Sequence, residues 1–314
     1  MFRRWPLVVA LILPWSLVAC GGGSDGDTLK IGVLQIAQAP VLDDAVRGFE
    51  SALAKGVPGR RVDVEVKNAN GDQSLVASLS RDLAGGDYDA YAVIGTPAVT
   101  ALAQQVRDKP IFAIAMGDPV GAKVAKSLEA PGGNVTGSTD YVDPAELLRT
   151  VDATTPRPRT IGTILDPSNQ NMAIWSKALT KAARANGDKV AEATVSGAGD
   201  VPSAARSLDG RADLVLIGPD ATTLSAIDAV GAATAKARLP MIVVGGEISV
   251  KGVTASIGPD YRQVGRQAGE AAVQVLEDGK KPGAVAFTKP RDITVQVDRS
   301  EATSLGVTIP TGAS

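Results

Sequence analysis

An α/β fold built as two Rossmann-like lobes, each around a parallel sheet, is what this sequence predicts, and three observations carry that reading. Short apolar β-type runs alternate with amphipathic helical stretches from Thr28 onward. The alternation then runs through a second time, in a half of similar length. Between the halves lies breaker-rich sequence, Pro131-Gly132-Gly133-Asn134-Val135-Thr136-Gly137, with Pro156 and Pro158 beyond it. Strand-helix-strand order with short connections calls for right-handed crossovers and helices on both faces of a parallel sheet. Breakers at the midpoint mark a boundary between two bodies. The alternative is one continuous doubly wound sheet of roughly eight or more strands.

The elements follow in order. Leu29 to Ile36 reads as a strand, then Pro40 to about Lys55 as a helix with Leu42, Ala45, Val46, Phe49 and Leu53 along one side. Arg61 to Lys67 alternates Val62, Val64 and Val66, as a half-buried strand does. A helix from about Ser74 to Leu83, a strand from Ala90 to Ile94, a helix from Pro97 to Arg107 and a strand from Ile111 to Met116 complete the first half. The second half has strands at Thr160 to Leu165, Lys189 to Val195, Leu214 to Ile217 and Met241 to Val244. Its helices run from about Gln170 to Asn186, Pro202 to Leu208 and Thr222 to Lys236. A tail follows: a long helix from Asp260 to Asp278 stopped by Gly279, a strand from Ile293 to Val297 and a short helix from Arg299 to Leu305. A helix and strand left over after two complete halves fit a chain that crosses back between lobes.

The amino terminus carries Arg3 and Arg4, an apolar run from Leu7 to Leu13, and Leu17-Val18-Ala19-Cys20 before Gly21-Gly22-Gly23-Ser24. Basic, apolar and small-residue regions in that order make a secretory signal, and the run is far short of the ~20 apolar residues that span a bilayer. The sole cysteine at the cleavage point resembles a bacterial lipoprotein signal, in which the thiol is lipidated and becomes the new amino terminus. That implies a signal over residues 1–19, lipidation at Cys20, a flexible tether over 20–27 and an extracytoplasmic, lipid-anchored location. A plain secretory signal or an uncleaved anchor is the alternative.

Composition narrows the chemistry. The 314 residues include no histidine and one cysteine. That removes Ser-His-Asp and Cys-His systems, histidine proton shuttles and ordinary zinc sites. No cofactor, metal or catalytic residue is expected. Loss of residues 1–19 removes Arg3 and Arg4 and takes the net charge from −2 to −4, so nucleic acid is not an expected partner.

Ligands of parallel α/β sheets bind beyond the carboxyl ends of the strands. The residues there include Gln35, Thr96-Pro97-Ala98, Asp118, Ser168-Asn169, Asp220 and Glu247. Each of these polar residues also serves as a turn former or helix cap. Helix amino termini facing one another across a cleft suit a carboxylate, and Asp118, Asp220 and Glu247 suit an ammonium. A small zwitterion matches the set. A rival is an enzyme working through Asp118 and Asp220 as a carboxylate pair.

Several stretches together carry a family resemblance. They are Leu34-Gln35 with Pro40-Val41-Leu42-Asp43; Asn68-Ala69-Asn70-Gly71-Asp72-Gln73; Thr96-Pro97-Ala98; Asp118-Pro119-Val120; the Pro131 to Gly137 stretch; and Gly258-Pro259-Asp260-Tyr261 with Gly265-Arg266-Gln267-Ala268-Gly269. The chain is similar, from about Thr28 to Pro310, to substrate-binding lipoproteins of ABC importers in the subfamily linked to tryptophan and other aromatic amino acids. The resemblance implies a periplasmic-binding-protein type I fold with a three-crossover hinge. One lobe would comprise residues 28–138 and 255–288, the other 139–254 and 289–314. Implied ligand contacts are Gln35, Thr96, Pro97, Ala98, Asp118 and the hinge residues Ser138, Thr139 and Asp140, with Ser168, Asn169, Asn171, Asp220 and Glu247 opposite. The Thr96 and Ala98 N–H groups would hold a carboxylate, and Asp220, then Glu247, the ammonium. Implied partners are a small molecule, an ABC permease with its ATPase, and the membrane through the lipid anchor, the chain itself being a monomer. A sensor subunit of a signalling system would share fold and site. This chain departs from the pattern at Gln38-Ala39, where relatives often carry Glu-His. Few aromatics fall at strand ends; Tyr141 and Tyr261 are the stacking candidates.

Overall fold

The computed structural model describes residues 28–152, 159–245, 248–291 and 293–309. The predicted signal, Cys20, the tether, Glu247 and residues 310–314 lie outside the described residues.

Two separate sheets form, not one continuous sheet. The first holds β1 (Thr28–Gln35), β2 (Arg61–Asn68), β3 (Ala90–Ile94), β4 (Ile111–Ile114) and β5 (Val135–Gly137) in the order β2-β1-β3-β4-β5, every pair parallel. Helices α1 (Pro40–Gly56), α2 (Gln73–Ala84) and α3 (Thr96–Gln105) connect its strands. α4 (Pro144–Val151) leads into the second sheet. That sheet holds β6 (Thr160–Leu165), β7 (Lys189–Thr194), β8 (Leu214–Ile217), β9 (Met241–Val244), β10 (Ala255–Pro259) and β11 (Ile293–Val297), ordered β11-β10-β9-β8-β6-β7. Only β11 runs antiparallel to its neighbour. Its helices are α5 (Gln170–Ala185), α6 (Val201–Arg206), α7 (Ala221–Leu224) and α8 (Ile227–Ala237). α9 (Tyr261–Leu276) and α10 (Arg299–Leu305) complete the chain.

Burial follows the strand patterns. Every residue of β3, β4, β8 and β9 is buried, as befits central parallel strands covered by helices on both faces. In β2 the more exposed positions alternate with Val62 and Val64, and β11 alternates likewise, so both lie at sheet edges. At the base of the second sheet the guanidinium of Arg159, fully buried, pairs with Asp188 at 3.2 Å and Asp152 at 2.7 Å and donates to the Val151 carbonyl.

Four local readings change. β5 was hidden inside the breaker-rich stretch: at three residues it is too short to show a period. α4 starts at a proline, with Asp143 capping the Ala145 N–H, in sequence that reads as linker. The helix predicted from Thr222 to Lys236 is two, because Ser225 bonds back to the Thr222 carbonyl and Ala226 leaves helical geometry. The lobe boundary expected at Ala255 also moves. β10 pairs with β9 and β11, so the chain stays with the second sheet through Pro259 and leaves it only at Asp260.

The chain passes between the sheets three times, after β5, after β10 and before β11. The first and third passages are stitched together by Thr139 N–H on the Thr288 carbonyl (2.8 Å) and Thr288 N–H on the Gly137 carbonyl (2.9 Å). After the second passage α9 lies along α1 at backbone-to-backbone distance. A β-carbon added at Gly265 would stand 1.8 Å from the Ala45 carbonyl oxygen, and one at Gly48 would stand 2.1 Å from that of Arg262. Only glycine permits that approach, so α9 is part of the first lobe's core.

Gly265→Ala tests this. Alanine gains about 1 kcal/mol of helix propensity over glycine, yet the overpacking must cost more, leaving a net loss of about 2 kcal/mol. Urea unfolding reads the difference; a variant as stable as the parent would show that the helices separate freely.

Candidate functional site

The carboxyl ends of the two parallel sheets face each other, and helices begin there because the chain turns sharply after each strand. Gly95 ends β3 with φ +91 and Pro97 fixes the first turn of α3. Thr96 and Ala98 fall in that turn, where N–H groups have no intrahelical acceptor. Across the gap, the Asn169 side chain accepts from the Asn171 N–H and starts α5, and Asp220 starts α7.

A small cavity closes between these ends. The first lobe gives it Leu42, Thr96, Pro97 and Ala115; the second gives Asn169, Asn171, Pro219, Ala221 and Leu224; the passages give Asp140 and Tyr261. Its volume is ≈ 20 Å³, room for one or two waters, since a water needs about 10–15 Å³ by this measure. The lobes touch around it. Gln170 Nε2 donates to the Gly121 carbonyl at 2.9 Å, and Ala221 packs into the first lobe's hydrophobic core.

Two polar atoms on the cavity-lining residues stand out. Asp140 is 4% exposed; its Oδ2 accepts from the Tyr261 hydroxyl at 2.9 Å, while its Oδ1 has no partner among the described residues. Thr96 Oγ1, also buried, likewise lacks one. Burial pushes the Asp140 carboxyl up to about 7, against the opposing pull of the Tyr261 hydrogen bond. Tyr261 is raised well above its ordinary value by burial and by the neighbouring Asp140 charge.

The expected contacts separate into groups. Thr96, Pro97, Asp140, Asn169 and Asn171 line the cavity. Ala98 is fully buried and does not line it. Gln35 turns away, donating to Asp43 Oδ1 at 2.8 Å. Asp118 and Thr139 line a separate cavity alongside, and Ser138 is fully buried in the first passage. Ser168 is exposed, its hydroxyl spent on Asp166 Oδ1 at 2.6 Å.

Asp220 is the main correction. It is fully buried and does not line the cavity. Its carboxylate accepts from the Asp166 N–H, the Thr222 N–H, the Thr223 hydroxyl and, at 3.4 Å, Asn169 Nδ2. It is a bracket holding the end of β6 to the start of α7, and burial raises its carboxyl to about 6. Asp118 and Asp220 therefore open onto no common cavity, so the paired-carboxylate arrangement is not formed. Among the described residues no group of three or more acidic, Cys or His side chains is placed to hold a metal, and no helix is long and apolar enough to cross a membrane.

Leu42, Ala115 and Leu224 were not anticipated in the site. The strand-end rule reaches Pro219 and Ala221, which flank Asp220. Leu42 reads simply as a core position of an amphipathic helix, and nothing in the sequence turns it toward a cleft.

Residues 30–313 match the family model for ABC transporter substrate binding protein. The chain is 34% identical over 261 residues to a protein named tyrosine-binding protein from Clostridioides difficile, covering 82% of this chain and 75% of that one. A Streptococcus pneumoniae structure in complex with L-Trp superposes with TM-score 0.83 at 30% identity, covering 90% of this chain and 96% of the other. A ligand-free, open substrate-binding protein from Clostridium difficile, also 30% identical and covering 91% and 97%, gives TM-score 0.66. The arrangement of the lobes here is thus much nearer the first structure than the open one.

Asp140 makes stability depend on pH in a definite sense. Its folded pKa lies above the ordinary carboxylate value, so the fold favours the protonated form. That contribution is complete below about pH 4 and is lost as pH rises through about 7, at up to about 1.4 kcal/mol per pH unit. Asp140→Asn stays neutral and keeps an acceptor for Tyr261. Its stability by urea unfolding should gain on the parent by more than 1 kcal/mol between pH 4.5 and 7.5. A difference that is flat with pH would show that Asp140 is not held as described.

Proposed function

This chain belongs to the ABC transporter substrate-binding protein family, and on that premise we propose that it is a lipid-anchored receptor that captures an aromatic amino acid between its lobes and delivers it to a permease. The observation that carries the ligand class is the buried, unpartnered Oδ1 of Asp140 in a cavity that also takes in the start of α3. An ammonium pairs with that oxygen, and a carboxylate takes the Thr96 and Ala98 N–H groups with the positive end of the ten-residue α3. The Thr96 hydroxyl adds a further partner. The tyrosine and tryptophan named for two relatives fit the same pairing.

Closure follows from the arrangement. Asp140 and Thr96 sit on one side or in the passages, Asn169 and Asn171 on the other. A ligand bridging both sides favours the closed form over the open one, and only that difference shifts the population. Micromolar affinity needs about 8 kcal/mol, within reach of one desolvated ion pair, several hydrogen bonds and apolar burial. Cys20 supplies the lipid attachment, and residues 20–27 the reach from the membrane to the folded lobes.

Thermal melting of the chain lacking residues 1–20, screened against amino acids, nucleosides and sugars, tests the reading. Ligand at a hundredfold over Kd adds about 2.7 kcal/mol of stability, so aromatic amino acids should raise Tm by several degrees. Asp140→Ala should weaken that binding by about 30-fold or more. A shift with sugars or nucleosides alone would replace the amino-acid reading. Separately, Cys20→Ser should move the full chain from the membrane fraction to the soluble one.

A further inference from the structure

We propose that the side chain of the bound amino acid lies in a second cavity between the lobes, next to the one that takes its α-groups, and that Tyr141 and Ile174 select for an aromatic ring there. The proposal rests on the amino-acid reading given above and adds where the specificity resides.

The starting point is a mismatch of size. The cavity around Asp140 has ≈ 20 Å³, far too little for a phenol or indole ring. The cavity beside it has ≈ 320 Å³, within the ordinary range of small-molecule pockets, about 300–1,000 Å³. Its walls are largely apolar: Pro119, Val120 and Leu128 from the first lobe, Ile174 from the second and Tyr141 from the first passage. Tyr141 offers a ring face for offset or edge-on contact with another ring. Asp118, Thr139 and Lys289 also line it; one Asp118 oxygen accepts from the Gly121 N–H at 2.8 Å, and the other is offered to a phenolic O–H or an indole N–H.

The two spaces are neighbours by construction. After β4, Ala115 faces the small cavity and Gly117 the large one. In the first passage Asp140 faces the small cavity while Thr139 and Tyr141 face the large one. Asn171, which lines the small cavity, packs against Gly117 of the large one. A β-carbon on Gly117 would lie 1.8 Å from Asn171 Oδ1, so this amide fits against the first lobe only because residue 117 is glycine. Ile174 follows Asn171 by three residues on α5, hence on the same face of that helix.

Nuclear Overhauser contacts decide the matter directly. In a sample of the chain lacking residues 1–20, labelled at Ile and Leu methyl groups and saturated with L-tyrosine, the ligand's ring protons should contact the methyls of Ile174 and Leu128. Contacts to Leu42 and Leu224, which wall the small cavity, would overturn the proposal. Ile174→Trp fills the larger space and should weaken L-tyrosine and L-tryptophan binding about 10-fold or more while changing alanine or serine binding less than about threefold. Tyr141→Ala is the gentler variant and should weaken the aromatic ligands about fivefold with the same selectivity. Equal losses across all ligands, or none, would also overturn it. Failure of the unaltered chain to bind any amino acid is a different result and falls on the proposed function itself.

Discussion

One hydrogen bond, from the Tyr261 hydroxyl to Asp140, ties together the parts of this molecule that must move. Its partners are 121 positions apart in sequence and sit at the first and second passages between the lobes. The bond is buried, so water does not compete with it, and it occupies one carboxylate oxygen while the other is left without a partner. Tyr261 is at the same time the first residue of α9, which the glycine contacts weld to α1. Tyr261 thus links the helix packed on α1 to the carboxylate in the first passage.

Asp140 and Asp220 show how identical side chains part company through their surroundings alone. Both are buried, and burial raises both carboxyls above the ordinary range. Asp220 is met by two backbone N–H groups, a hydroxyl and an amide, and has nothing further to offer a ligand. Asp140 receives one hydrogen bond from another side chain and keeps an oxygen in reserve. A buried acceptor without a donor carries a cost.

The alternation of strand and helix was legible because periodicity is a property of whole segments. β3, β6, β8, β9, β11 and α10 fall where the residue pattern puts them. The misses come where a few residues decide the structure by tertiary means. β5 exists because Thr136 and Gly137 lie beside β4 and the third passage, with the Thr136 hydroxyl on the Val285 carbonyl. Two of the stretches that carry the family resemblance prove to be structural. Asn70, at φ +51, bonds back to Asn68, Asp72 caps α2, and Asn134 bonds the Val106 and Lys109 carbonyls. The site was half legible for the same reason. Strand ends are marked by turn formers, but whether a turn former spends its side chain on its own backbone or keeps it for a ligand depends on neighbours far along the chain.

The stitching of Thr139 to Thr288 has a mechanical consequence. Two points of attachment would let one lobe rock and also twist relative to the other. A third passage bonded to the first restrains that twist. Motion along one coordinate has few wrong directions, so little orientational entropy is forfeited when the jaws shut.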